Sequence, residues 1–160
     1  MRYVIIDLND TLAYTNRDIG TDPEHIPQLK LVEGAMKFLQ RHKWHSTLLT
    51  AGDRQEEEEK IEVLGIRRCF RQIVILPKPE NKRLWLEEFV RNFPHDPSHI
   101  VIVGDRLDVE IAKGNELGCT TVRVRLPSGA HYLQMPTGGP QQVIHYTVRD
   151  FTELLSIFPN

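Results

Sequence analysis

Tyr3-Val4-Ile5-Ile6-Asp7-Leu8-Asn9-Asp10-Thr11-Leu12 is the stretch on which the reading of the fold turns. Its first four residues form an unbroken apolar run, the pattern of a strand covered on both faces in a parallel sheet. Asp7 cuts the run, so this strand ends in polar groups. Working outward, similar short runs occupy 46–49, 73–76, 100–103 and 121–124, and three of the five are almost wholly apolar. Between them, Val32/Ala35/Met36/Leu39, Leu86/Phe89/Val90/Phe93 and Phe151/Leu154/Leu155/Phe158 keep the i, i+3, i+4, i+7 spacing of amphipathic helices. The segment 53–64 reads as a solvated helix: Glu56 to Glu59 stand in a row, Ile61 and Leu64 are its anchors, and the acids receive no function. Strands alternating with helices predict an α/β domain over 1–160, doubly wound and Rossmann-like. The expected form is a three-layer sandwich around a mainly parallel sheet of five or more strands. Stretches 13–31 and 126–142 read as irregular loops, the second from its Pro and Gly content.

Composition narrows the function classes. The 160 residues are 40% apolar and 26% charged, ordinary for one globular domain. Such a chain buries roughly 70% of its unfolded surface without needing a disulfide or a metal staple. Twenty Lys and Arg against 22 Asp and Glu give a net charge of −2, which removes the bulk electrostatic case for nucleic acid or an anionic membrane. Cys69 and Cys119 form no C-x-x-C, so neither a zinc site nor a disulfide framework is expected, and a cytoplasmic location fits. No apolar run approaches the roughly 18 residues of a membrane span.

Ligands of open parallel sheets bind at the carboxyl ends of the strands, so the first polar residues after each run are where chemistry is sought. They are Asp7 to Thr11, Thr50-Ala51-Gly52-Asp53, Pro77-Lys78-Pro79 and Gly104-Asp105-Arg106-Leu107-Asp108-Val109-Glu110. Each has a plain structural reading as a turn residue, a helix cap or a solvated charge. Together they supply a nucleophile, carboxylates for a hard cation and donors for phosphoryl oxygens, which is what phosphoryl transfer requires.

The set resembles the four motifs of the haloacid dehalogenase superfamily, in order D-x-D-x-T, a Thr or Ser, a Lys and a G-D acid motif, over 3 to about 158. The resemblance implies a phosphatase without a cap domain, because neither the interval from Asp7 to Thr50 nor that from Thr50 to Lys78 leaves room for one. It implies that Asp7 is the nucleophile, that Thr50, Ala51 and Lys78 bind the phosphoryl group, and that Mg²⁺ is held by Asp7, Asp105 and the main-chain carbonyl of Asn9. A phosphorylated substrate, small or macromolecular, follows. Asp108 and Glu110 read either as orienting the metal's waters or, for Asp108, as a first-turn helix acid. Arg17, Arg54 and Arg106 lie near the rim as candidates for a second anionic group.

The sequence departs from the family at Asn9, where the motif has a second Asp that protonates the leaving group. An amide has no titratable proton at neutral pH, and general acid–base catalysis is worth roughly 10²- to 10⁴-fold. Asn9 therefore marks a slowed or arrested enzyme, through a natural or an introduced residue, or a weak module that binds a phosphorylated ligand or partner. From the sequence alone, Asn9→Asp is expected to raise turnover. Asp10 is a poor substitute, because adjacent side chains at a strand end point apart.

Overall fold

A computed structural model of the protein describes residues 2–15, 23–139 and 143–159. Six strands pair in parallel: β1 (Tyr3–Ile6), β2 (Ser46–Ala51), β3 (Gln72–Leu76), β4 (Ile100–Gly104), β5 (Thr120–Val124) and β6 (Tyr146–Val148). Their spatial order is β3-β2-β1-β4-β5-β6. The chain winds outward from β1 to β3, then crosses back to β4 and winds the other way. The point of reversal lies between β1 and β4, where Ile6 pairs with Val103. In open parallel sheets the ligand crevice lies at the carboxyl ends of the strands flanking such a reversal, so the topology selects Asp7 and Asp105 as the acids that meet.

Alternation along the strands makes the two helical layers. Val4 and Ile6 of β1, Leu48 of β2 and Val101 and Val103 of β4 join one core with α1 (Ala35–His42), α2 (Arg54–Val63) and α5 (Phe151–Ile157). Ile5, Leu49, Ile100 and Ile102 point the other way, onto Leu86 and Val90 of α3 (Asn81–Arg91). The short α4 (Ala112–Glu116) lies beside α3, with Lys113 Nζ 3.0 Å from Glu87. The doubly wound three-layer architecture is as the strand and helix patterns predict, and the described residues contain no inserted cap.

Three elements were not visible in the pattern. β6 has only three residues, two of them exposed, so it leaves no apolar run. A π-helical turn over Leu107–Ile111 precedes α4, where the sequence shows only an acidic motif. Pro23–Gln28 forms a 3-10 segment inside the stretch read as a loop, with Ile26 buried.

α1 and α5 fix one flank. The Phe38 and Phe151 rings meet edge-on at 5.4 Å, and the Phe151 N–H donates to Glu33 O at 2.9 Å. Gly34, which starts α1 at φ 77°, allows this approach, since a Cβ there would stand 2.7 Å from Thr152 N and 2.9 Å from Phe151 C. Gly34→Ala meets both backbone strain and overlap with main-chain atoms that cannot rotate away. It should destabilise the protein by roughly 2–4 kcal/mol in denaturant unfolding, with an unchanged m-value.

Candidate active site

After β1 the backbone continues its pairing for one residue, the Asp7 N–H donating to Val103 O at 3.0 Å. It then closes a turn in which Leu8 O accepts from the N–H groups of Leu12 and Ala13 at 3.0 and 3.1 Å. Asp10 sits in that turn at φ 53°, a left-handed conformation that Asp tolerates. Its carboxylate accepts from the N–H of Thr15 at 3.1 Å and that of Ala130 at 2.9 Å. Asp10 thus ties the turn after β1 to the segment following β5 and is spent on backbone groups.

Asp7 is 5% exposed and faces a lysine from the other layer. Lys82 Nζ donates to Asp7 Oδ1 at 2.6 Å and to Glu110 Oε1 at 2.7 Å, while Thr11 Oγ1 donates to Asp7 Oδ2 at 3.3 Å. Lys82 arrives there because it lies in the first turn of α3, one and two turns before the buried Leu86 and Val90. Glu110 is aimed by the π-helical turn, and it passes so close to Gly104 that a Cβ there would come within 2.7 Å of Glu110 Cγ.

Charge is concentrated in this crevice. Burial pushes the Asp7 carboxyl up to about 6 against the opposing pull of Lys82. Burial, then Asp7, Glu110 and Asp10, push Asp105 up to about 9. Burial pulls Lys82 down, but Asp7 and Glu110 outweigh it and hold the ammonium above its ordinary range.

A second buried cluster adjoins the first on the side of α2. Asp53 caps α2 by accepting from the N–H groups of Gln55 and Glu56, at 3.0 and 3.1 Å, and the helix turns Glu57, Lys60 and Ile61 inward. Glu57 Oε2 accepts from Thr50 Oγ1 at 2.5 Å and from Asn9 Nδ2 at 3.2 Å. Lys60 Nζ donates to Glu57 Oε1 at 2.6 Å and to Asn9 Oδ1 at 3.1 Å. Glu57 lies over Gly52, where a Cβ would stand 3.3 Å from Oε1.

The sequence profile of haloacid dehalogenase-like hydrolases matches residues 4–124, most of the chain. The protein belongs to this hydrolase family. A haloacid dehalogenase (HAD) family hydrolase from Deinococcus radiodurans R1, with bound phosphate and sodium, superposes with a TM-score of 0.71 at 12% identity, covering 99% of this chain and 95% of that one. The magnesium-bound YfnB from Bacillus subtilis gives a TM-score of 0.69 at 15% identity, with 100% of both chains covered. By sequence, glyceraldehyde 3-phosphate phosphatase of Methanopyrus kandleri is 37% identical over 82 residues, which is 48% of this chain and 34% of that protein.

The structure sets Asp7 and Asp105 in the first buried cluster and Asn9 and Thr50 in the second, where both bond Glu57, with Ala51 closing β2 beside Thr50. It does not bring in Lys78. That residue is exposed in the turn after β3, its N–H donating to Asn81 Oδ1 at 3.2 Å, and Lys82 stands against Asp7 instead. The reason is reach: Lys78 precedes α3 on the solvent side, whereas the first turn of the helix points Lys82 down into the crevice. Asp108 is engaged by side chains on the rim. Arg106 takes it in a two-bond pair at 3.2 and 2.7 Å, and Gln134 Nε2 adds a third bond at 3.0 Å. Arg54 is exposed, with Nη2 3.3 Å from Ile75 O, and Arg17 lies outside the described residues.

Because Asp7 and Asp105 are raised above their ordinary value of 3.8, the stability they permit is complete below that pH. It is lost as pH rises through about 6 for Asp7 and about 9 for Asp105. In chelator-treated protein, Asp105→Asn should therefore raise the Tm at pH 8 by at least about 3 °C, at roughly 2–4 °C per kcal/mol in a chain of this size. The gap should close towards pH 4, as followed by circular dichroism.

Proposed function

We propose that this hydrolase cleaves phosphomonoesters through an aspartyl-phosphate on Asp7. The observation that carries the reading is the Lys82 ammonium 2.6 Å from Asp7 Oδ1, buried where β1 and β4 diverge. It places a cation beside a carboxylate at the ligand crevice of the fold, as transfer of an anionic group requires. The phosphate bound in the Deinococcus relative and the activity named for the Methanopyrus relative support the same class.

The residues fit Mg²⁺. Among the described residues no three His, Cys, Asp or Glu side chains are gathered to hold an ion by themselves. Mg²⁺ keeps several waters, however, and takes one or two carboxylates. Asp7, Asp105 and the carbonyl of Asn9 would hold it, an all-oxygen set, and the buried Glu110 Oε2 has no hydrogen-bond partner. When bound, the cation supplies screening between the carboxylate and the phosphate. YfnB is a magnesium-bound relative.

In the first half-reaction an Asp7 oxygen bonds to phosphorus while the ester P–O bond breaks and its electron pair leaves with the alcohol oxygen. Lys82 neutralises charge on the phosphoryl group. In the second, water attacks phosphorus, the aspartyl P–O bond breaks, and the Asp7 carboxylate and phosphate are released. Asn9 donates no proton to the leaving oxygen and takes none from water, which lowers turnover by roughly 10²- to 10⁴-fold.

With p-nitrophenyl phosphate and Mg²⁺, Lys82→Met should reduce kcat/KM by about 10²- to 10³-fold, whereas Lys78→Met should cost far less. Asp7→Asn should abolish hydrolysis. Intact-mass measurement after incubation with substrate should show a phosphoryl adduct on the unsubstituted protein and none on Asp7→Asn, and an adduct on both would remove Asp7 as nucleophile.

A further inference from the structure

Asn9 and Glu57 share one set of hydrogen bonds, and each specifies the other's chemistry. Glu57 Oε2 accepts from Asn9 Nδ2 at 3.2 Å, and Asn9 Oδ1 accepts from Lys60 at 3.1 Å, so the amide has one orientation. Glu57 and Lys60 are each 2% exposed and Thr50 is fully buried, so the bonds of Glu57 to Thr50 and Lys60 are shielded from bulk water, while those to the half-buried Asn9 are shielded in part. Thr50 has a single hydroxyl proton, and at 2.5 Å it is donated in a hydrogen bond to Glu57 Oε2.

We propose that Glu57 is a positioning residue of the phosphoryl site, holding as a carboxylate on α2 the negative charge that position 9 lacks. It fixes the Asn9 amide and withholds the Thr50 hydroxyl proton from any phosphoryl group. This proposal rests on the phosphatase reading only for its effect on phosphate.

The consequence for Asn9→Asp is opposite to the expectation from sequence. The new carboxylate would face Glu57 across the 3.2 Å contact that now carries a hydrogen bond. Glu57→Gln alone also fails, since its amide nitrogen must point at either Lys60 Nζ or Asn9 Nδ2, both donors. Exchanging both, Asn9→Asp with Glu57→Gln, keeps the charge and nearly the same volume. The amide now at position 57 would donate to the carboxylate at position 9, reversing the present bond. It would also accept from Lys60 and donate to Thr50 Oγ1, which releases the hydroxyl proton of Thr50 into the site.

The test is a double-mutant cycle. In chelator, both single variants should melt below the unsubstituted protein, and the double variant should recover most of the loss. In Mg²⁺, the inhibition constant of inorganic phosphate should be about tenfold lower for the double variant than for the unsubstituted protein, the order expected for one regained hydrogen bond to an anion. Its KM for p-nitrophenyl phosphate should fall in parallel. Additive melting losses would overturn the pairing. Coupled melting with phosphate affinity unmoved in every variant would overturn the positioning role and leave the cluster as packing alone. Should the unsubstituted protein neither bind nor hydrolyse phosphates, the phosphatase reading falls, while the chelator cycle still decides the pairing.

Discussion

Lys82 holds the active crevice together. Three buried acids, Asp7, Asp105 and Glu110, would repel one another at the one point where the sheet reverses direction, and the ammonium between Asp7 and Glu110 offsets this. Removing one partner from such a buried set costs several kcal/mol, because the charge left behind has no solvent to turn to. The placement of α3, the close pass of Glu110 over Gly104 and the π-helical turn before α4 all serve to bring opposite charges within bonding distance.

A neutral pocket lies beside that net-negative one. Glu57 and Lys60 cancel, Asn9 carries no charge, and along the chain the two pockets are joined by the short turn from Asp7 to Asn9. Aromatic residues take no part in either. Trp85, Phe89 and Phe93 line a cavity of about 730 Å³ with Tyr3, at the amino ends of the strands and away from the acids.

β1, β3 and β4 were legible because strands of a parallel sheet read as unbroken apolar runs, which the four residues of β1 show most plainly, whereas β6 left none. Asp7, Thr50 and Asp105 were legible because a strand end is a fixed place. The lysine was not, because Lys78 is the first lysine after β3 in chain order and the site draws instead on the helix that follows. A usable signal existed: Lys82, Leu86 and Val90 fall at four-residue steps, putting a lysine on the buried stripe of α3. Glu57, Lys60, Ile61 and Leu64 repeat the lesson on α2, where an acidic run that reads as solvated contains one acid on the inward face. Charges in register with a helix's apolar positions mark a site better than runs of charge do. Glu110 had no such signal, because a π-helical turn shifts side chains off the regular period.

The central place of β1 also has a consequence for synthesis. It is made before either of its neighbours, so one of its edges must wait for β2 and the other for β4, whose first residue is Ile100. At about 5–20 residues per second, that second edge stays unpaired for roughly 5–20 s. Throughout this interval the apolar strand is an open template for misassociation. Asp7 is made with it, and Lys82 emerges before Asp105 and Glu110, so the cation is already present when the last acids close the crevice.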